Sequence, residues 1–256
     1  MTIRNLPSSV IHLQFPLLMA VVLMCCSSCI RLNLNELNKL EPSSTIVKNE
    51  YKMRPFSRVD VNVAARVKFV QSTDGDYRVL MKCPDNYVSL FRFRVEGDEL
   101  VLGFAKNLRK FIDPDDVAIV VRTPRLLEID SEGLGNIAAD SLSTPSLNID
   151  SEGVGNIHIG RLSADRVKVE SSGVGNVVLK GVAKTAVFES DGVGNISAAE
   201  LKAQDVRAEV NGVGSIECFA SESIQGSING VGSLKYGGKP RQKQLHRNGV
   251  GTVKEM

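Results

Sequence analysis

Three cysteines near the N-terminus are the residues best suited to a covalent modification. Cys25, Cys26 and Cys29 follow a short apolar run at residues 15–24, and Arg4 is the one basic residue before that run. The run is too short for an ordinary transmembrane helix, which needs about 20 apolar residues. A basic start, a short apolar core and a small-residue site are instead typical of an export signal.

The spacing of these cysteines matches that of bacterial lipoprotein signals, in which a small residue precedes the acylated cysteine. Ser28 precedes Cys29, whereas Leu23 lies three residues before Cys26, where such signals usually have leucine. We predict acylation at Cys29, with Cys26 as the alternative, and a signal peptide at residues 1–28. A diacylated cysteine would anchor the chain to a membrane without spanning it. An ordinary cleaved signal with incidental cysteines is the remaining interpretation.

Carboxylates that recur before a glycine motif are the second group with possible chemistry. Asp130, Asp150, Glu170 and Glu189 occupy equivalent positions. Like charges about 5 Å apart repel, so we expect this acidic stripe to face solvent, with a weak cation site as the alternative. A glycan-active enzyme would need such carboxylates to converge on one face. The densest acidic run, residues 113–116, is predicted to be a solvated loop.

The other chemically active side chains form no recognisable catalytic or metal-binding motif. His158 and His246 are far apart in the sequence, and nothing pairs Cys83 with Cys218 in a disulfide. The Gly-x-Gly motif lacks the third glycine and the following helix of a dinucleotide loop. Calcium-binding β-rolls repeat every nine residues, which differs from the spacing found here. We therefore predict no catalytic residues, no metal and no cofactor.

The composition argues against a nucleic-acid partner. The chain has 31 basic and 29 acidic residues, a formal net charge of +2, and no basic block. It also has no tryptophan, which weakens the case for a carbohydrate groove built on aromatic side chains.

The elements that position these residues follow from an internal repeat whose period, about 20 residues, is in the range of solenoid proteins. Seven copies of Gly-x-Gly recur at a nearly constant interval, each between short runs of alternating apolar residues. The repeat residues are Gly133, Gly135 and Asn136; Gly153, Gly155 and Asn156; Gly173, Gly175 and Asn176; Gly192, Gly194 and Asn195; Gly212 and Gly214; Gly230 and Gly232; and Gly249 and Gly251.

One such unit cannot bury its apolar side alone, whereas stacked units share a continuous core. The sequence thus predicts an all-β fold, a parallel β-helix of about seven coils that rise by about 4.8 Å each. We expect the Val or Leu between the glycines to point inward. The asparagines are expected to stack as a structural ladder, with a ligand groove as the alternative.

The rest of the chain divides around this repeat. Residues 29–55 are predicted to be a tether, residues 56–124 an irregular β region, and residues 125–256 the repeat β-helix. No linker separates the last two regions, so we expect the β region to cap the N-terminal end of the solenoid, where strand edges would otherwise be unpaired.

The Gly-x-Gly-Asn/Ser corners, the Pro124 to Leu126 step and the closing segment at residues 236–240 together resemble the family described as putative auto-transporter adhesin, head GIN domain, which is common in Bacteroidetes. The resemblance covers residues 56–256. It implies a right-handed β-helix and a location in the cell envelope, and it brings no catalytic residues.

The leading hypothesis is therefore a non-catalytic lipoprotein of the envelope, in the outer membrane at its surface or periplasmic face. It would be attached to the membrane by its lipid and present the solenoid to a protein or glycan ligand. A glycan-active β-helix enzyme and a structural periplasmic scaffold are the alternatives. The sequence leaves the oligomeric state open.

Overall fold

The computed structural model describes residues 39–105 and 111–256, and these are almost entirely β structure. The strands are β1 (Ile46–Lys52), β2 (Arg58–Val61), β3 (Arg66–Gln71), β4 (Arg78–Pro84), β5 (Phe91–Glu96), β6 (Glu99–Phe104), β7 (Ala118–Thr123), β8 (Glu128–Ser131), β9 (Ile137–Ala139), β10 (Leu142–Ser151), β11 (Ile157–Ser171), β12 (Val174–Ser190), β13 (Val193–Val210), β14 (Val213–Ile228), β15 (Val231–Gly237), β16 (Gln242–Arg247) and β17 (Val250–Glu255). Short 3₁₀ helices lie at Asp85–Leu90 and Pro114–Asp116.

The repeats stack as parallel strands into a β-solenoid of about six turns, which confirms the predicted fold class. The first face consists of β6, β2 and β8, followed by the second halves of β10 to β14 and by β16. The second face consists of β7, β3 and β9, followed by the first parts of β11 to β14 and by β15 and β17. A third face begins where Leu142 of β10 pairs with Leu162 of β11.

Apolar side chains of all three faces point into one continuous core. On the first face Ile129, Ile149, Val169 and Phe188 follow one another in register and are almost fully buried. Farther along this row the residues become smaller, with Ala208 and then Gly226 after Phe188. A Cβ on Gly226 would lie 2.3 Å from a methyl group of Leu234, so glycine leaves the space that this leucine fills.

Antiparallel strands close the N-terminal end of the solenoid. β1 pairs with β4, β4 with β7, and β5 with β6. On the third face a side chain replaces the missing strand: Gln71 Nε2 donates to the Ser143 carbonyl at 2.8 Å, and Gln71 Oε1 accepts from the Ser143 N–H at 2.8 Å. The N-terminal region therefore caps the solenoid as irregular β structure.

Strand β1 lies within residues 29–55, the range predicted to be a tether. All seven of its residues are paired with β4, from Ile46 opposite Pro84 to Lys52 opposite Arg78. Its side chains alternate between exposed and half-buried, so this part of the range belongs to the cap. Residues 29–38 lie outside the described part of the chain.

Candidate functional site: the ladders of the solenoid corner

The glycine pairs form a corner that only residues without a side chain can occupy. A Cβ on Gly153 would lie 2.2 Å from the carbonyl oxygen of Gly133, one coil earlier. A Cβ on Gly155 would lie 1.7 Å from that of Gly135, and Gly155 has φ of +157°. Both glycines of a corner thus turn their hydrogen toward the preceding coil, which allows the backbones to approach closely.

Asparagine side chains form a hydrogen-bonded ladder on one side of this corner. Asn156 donates to Asn136 Oδ1 from its backbone N and its Nδ2, at 3.0 Å each. Asn176 repeats this on Asn156, and Asn195 repeats it on Asn176. Ser215 N then donates to Asn195 Oδ1 at 3.0 Å. In each step the side-chain bonds use one of the two Nδ2 hydrogens, so the second hydrogen has no partner within the ladder.

The aliphatic residues between the glycines point to solvent, so the prediction that they point inward is wrong. We call this row the aliphatic ridge; it consists of Leu134, Val154, Val174, Val193, Val213, Val231 and Val250. Their exposure ranges from 38% to 71%. The reason lies in the corner: because the flanking glycines face the neighbouring coil, the residue between them must face outward.

A second polar ladder lies on the other side of the ridge, at the residues that precede the first glycine of each corner. We call it the outer ladder; it consists of Glu132, Glu152, Ser172, Asp191, Asn211, Asn229 and Asn248. Asn211 Nδ2 donates to Asp191 Oδ1 at 2.8 Å, and Asn229 Nδ2 to Asn211 Oδ1 at 2.8 Å. The outer ladder is acidic in the first coils and neutral in the last.

The carboxylates singled out in the sequence stack on the first face, and the stack is longer than predicted. Asp130, Asp150, Glu170 and Glu189 are in register, as expected for equivalent repeat positions. Asp60 of β2 pairs with Asp130 at the start of the row. Glu209 continues it after Glu189. These side chains are half-buried rather than freely solvated.

Burial, and then the charge of neighbouring acids, raises the pKa values of the two aspartates at the start of this row. The pKa of Asp60 is raised to about 6 by burial and then by the charge of Glu132, and that of Asp130 to about 6 by burial and then by Asp60. Within residues 39–105 and 111–256, Oδ1 of each of these two aspartates is buried without a hydrogen-bond partner. Farther along the row, Lys168 lies 2.6 Å from Glu170 and relieves the repulsion there.

The remaining candidate residues are not brought together. His158 lies on β11 between Ala138 and Val178, and His246 lies on β16 beside Ser227. In the described part of the chain no group of three or more His, Cys, Asp or Glu side chains is arranged to hold a metal ion. The acidic run at residues 113–116 forms a short 3₁₀ turn, in which Asp113 accepts a hydrogen bond from the Asp115 N–H.

The two cysteines of the described chain, Cys83 and Cys218, are buried free thiols. Burial raises the pKa of Cys218 to about 12, which makes it unreactive in the folded protein. Cys26 and Cys29, the candidates for acylation, lie outside the described residues. None of the helices among the described residues is both long and apolar enough to cross a membrane.

Sequence reasoning missed Asp60, Glu209 and the exposure of the ridge. Glu209 has a usable signal, because it occupies the same position before its glycine corner as Glu189 does. Asp60 has no such signal in the sequence. Its strand, β2, is distant in the sequence from β8, on which it stacks, and β2 precedes no Gly-x-Gly motif.

Comparison with solved structures places this architecture among putative adhesins of the Bacteroidetes. A putative adhesin from Bacteroides fragilis is 37% identical, with a TM-score of 0.81 over 85% of this chain and 100% of the other. One from Parabacteroides merdae is 17% identical, with a TM-score of 0.62 over 86% and 99% of the two chains. A putative lipid binding protein from Parabacteroides distasonis, also 17% identical, has a TM-score of 0.61 over 85% and 99%. The last two share the fold.

A comparison with functionally curated proteins gives no match. The family described as putative auto-transporter adhesin, head GIN domain, matches residues 55–240, which include six of the seven glycine corners. The chain belongs to this family.

Proposed function

We propose that this protein is a lipid-anchored, non-catalytic component of the cell envelope that presents its solenoid as a rigid binding surface, as an adhesin does. The observation that carries the proposal is the set of in-register ladders exposed along about six turns of the corner. A repeated, rigid surface suits the binding of an extended partner, because little conformational freedom is lost on binding. The family and the 37% identical adhesin structure support the same role.

The proposed anchor is a lipid on Cys29, with Cys26 as the alternative. This part of the proposal rests on the order of charge, apolar run and cysteines at the start of the chain. Two or three acyl chains would hold the protein stably at a membrane, which a single chain does not achieve. The first residue that the structure describes, Lys39, pairs with Phe111 and lies ten positions after Cys29.

Metabolic labelling with a radioactive fatty acid tests the anchor and the location together. Cells would express the wild type, Cys29→Ala and Cys26→Ala, and intact cells would then be treated with protease. We expect label in the wild type, loss of label in Cys29→Ala, and cleavage of the wild type on intact cells. A labelled protein that is protected from protease would favour the periplasmic scaffold over an adhesin, and an unlabelled wild type would contradict the lipid anchor.

A glycan-active enzyme is the second candidate, and one observation favours it. Asp60 and Asp130 are in register on neighbouring strands, whose spacing of about 5 Å is close to the separation of the two carboxyl groups in retaining glycosidases, about 5–5.5 Å. A pKa of about 6 would suit the general acid of such a pair. Release of reducing ends from envelope polysaccharides by the wild type, and its loss in Asp60→Asn and Asp130→Asn, would establish this function in place of the non-catalytic one.

A further inference from the structure

The aliphatic ridge exposes apolar surface in a continuous row. Single exposed valines are ordinary on a soluble protein, whereas contiguous apolar patches mark interaction sites. Seven in-register side chains at a rise of about 4.8 Å form a row about 30 Å long. Six of the seven are at least half exposed. Residues 39–105 and 111–256, which the structure describes, leave this row uncovered along its whole length.

We propose that a second copy of this chain covers the ridge, in a parallel side-by-side dimer whose two-fold axis runs along the ridge. A second copy carries a row of side chains with the same spacing, so the two rows can lie side by side with their coils at the same height. The glycines beside each ridge residue, such as Gly192 and Gly194 beside Val193, leave a furrow on either side. The ridge of one copy can enter the furrow of the other, as ridges pack into grooves between helices.

The two polar ladders complement each other in this arrangement. With the axis along the ridge, the outer ladder of one copy faces the Asn ladder of the other within the same coil. Glu152 would face Asn156 of the second copy, and Asp191 would face Asn195 of the second copy. Carboxylates only accept hydrogen bonds, and each of these Asn amides has an Nδ2 hydrogen that the ladder does not use. Acceptors would therefore meet donors along the acidic half of the ridge.

The antiparallel arrangement is less favourable at its centre. Its two-fold axis would cross the ridge at Val193, the fourth of the seven residues, and each outer ladder would then face the other outer ladder, with Glu132 opposite Asn248 and Glu152 opposite Asn229. Asp191 would lie opposite Asp191 of the second copy, and two unscreened carboxylates at such a distance repel. The parallel arrangement also places the capped ends of both solenoids at the same end of the dimer. Such a dimer is compatible with a lipid anchor but does not require one.

The surface involved is enough for a weak, reversible dimer. The two polar ladders are four residues apart, so a strip about 30 Å long that includes them and the ridge is about 13 Å wide and covers on the order of 400 Å² per copy, or about 800 Å² in total. That is the size of weak, transient interfaces. Confinement of the chains to one membrane would raise their effective concentration and favour the dimer.

Cysteine cross-linking of the full chain in the cells that express it tests both the contact and its direction. The variants Val154→Cys, Val193→Cys and Val231→Cys lie near the start, at the centre and near the end of the ridge. A short bis-maleimide would be added and dimers detected on denaturing gels. Val182→Cys is the matched control, since Val182 is as exposed as Val154, at 52%, but lies on the third face. The wild type controls for its own cysteines, of which Cys83 and Cys218 are buried.

We expect all three ridge variants to form dimers at least fivefold more efficiently than Val182→Cys. Dimers of Val193→Cys alone would overturn the parallel arrangement in favour of the antiparallel one. Yields equal to that of the control for every variant, or products whose mass shows a different protein, would overturn the dimer. Adding Val174→Asp and Val213→Asp to Val193→Cys should reduce its cross-linking to the control level, with an unchanged circular dichroism spectrum showing that the fold is intact.

Discussion

Replacing Gly194 by alanine should destabilise the solenoid more than any change of an exposed side chain at the same corner. The new Cβ would lie 1.6 Å from the carbonyl oxygen of Gly175 in the preceding coil. Ordinary contact begins near 3.4 Å, so the corner would have to open by about 1.8 Å (3.4 − 1.6). An opening of that size breaks the two hydrogen bonds that Asn195 donates to Asn176, at 3.2 and 2.9 Å.

The expected cost follows from these contributions. Two lost hydrogen bonds cost roughly 1 kcal/mol each, and more where a buried group is left unpaired. Gly194 has φ of +154°, and holding a residue with a side chain in such a conformation adds about 1 kcal/mol. The free energy of unfolding should therefore fall by about 3–5 kcal/mol, a loss typical of steric clashes in a core.

Urea unfolding followed by far-UV circular dichroism measures this loss, with two matched controls. Val193→Ala changes the neighbouring exposed residue and should cost less than about 0.5 kcal/mol. Gly75→Ala tests backbone conformation alone, because Gly75 has φ of +74° and a Cβ there would meet nothing within 4 Å; about 1 kcal/mol is expected. If Gly194→Ala stayed within about 1 kcal/mol of Val193→Ala, the steric explanation of the glycine corner would be refuted. Hydrogen exchange should locate the loss near residues 192–214, because coils contact only their neighbours.

Three further predictions concern the acidic row and the ladders. Between pH 4 and 6 the folded chain keeps protons on Asp60 and Asp130 that the unfolded chain has lost, so their contribution makes stability fall as pH rises through this range. Replacing either aspartate by Asn should therefore stabilise the protein at pH 7.5 by about 1–2 kcal/mol after allowance for solvent screening. The control Asp140→Asn removes an ion pair with a lysine and should not stabilise the protein. An equal gain in stability from Asp140→Asn would contradict the crowding of the acidic row. Asn176→Ala should lower the free energy of unfolding in urea by about 1–2 kcal/mol, because it removes an acceptor of two hydrogen bonds, and an unchanged urea midpoint would mean that the ladder is not stabilising. Gln71→Ala should speed amide exchange at the first strand of the third face, since this side chain pairs with that edge; unchanged exchange there would show that the cap is not needed.

The repeat spacing was sufficient to predict the solenoid, because each Gly-x-Gly copy recurs after one full turn. Residues at the same place in each repeat must then stack, and the Asn ladder and the acidic row follow from that rule alone. Asp60 could not be placed in this way. Its strand joins the stack through a contact with a strand far away in the sequence, and only the folded structure shows which strands cap the end. The pairing of Ile46–Lys52 with β4 is a second non-local contact of this kind.

The orientation of Val193 shows why patterns of alternation are unreliable at corners. Alternating burial predicts direction only while the backbone is extended. At the corner the chain turns, and Gly192 and Gly194 occupy the two positions that approach the preceding coil. The residue between them then faces solvent, whatever its polarity. A valine at this place looks like a core residue in the sequence, although the core resumes only after the corner, at Ile196.

This geometry separates what the fold requires from what it permits. The fold requires glycine at Gly192 and Gly194, because any side chain there would collide with backbone. It does not require valine at position 193, because that side chain is half exposed and fills no cavity. A polar residue such as serine would satisfy the same corner and would avoid the cost of exposing apolar surface to water.

All seven corners nevertheless carry Val or Leu. Stacked β-branched side chains stabilise neighbouring coils to some degree, but that gain is also available to threonine, which is more soluble. A row that is uniformly aliphatic where folding sets no such demand is better explained by a surface that becomes buried when two chains meet.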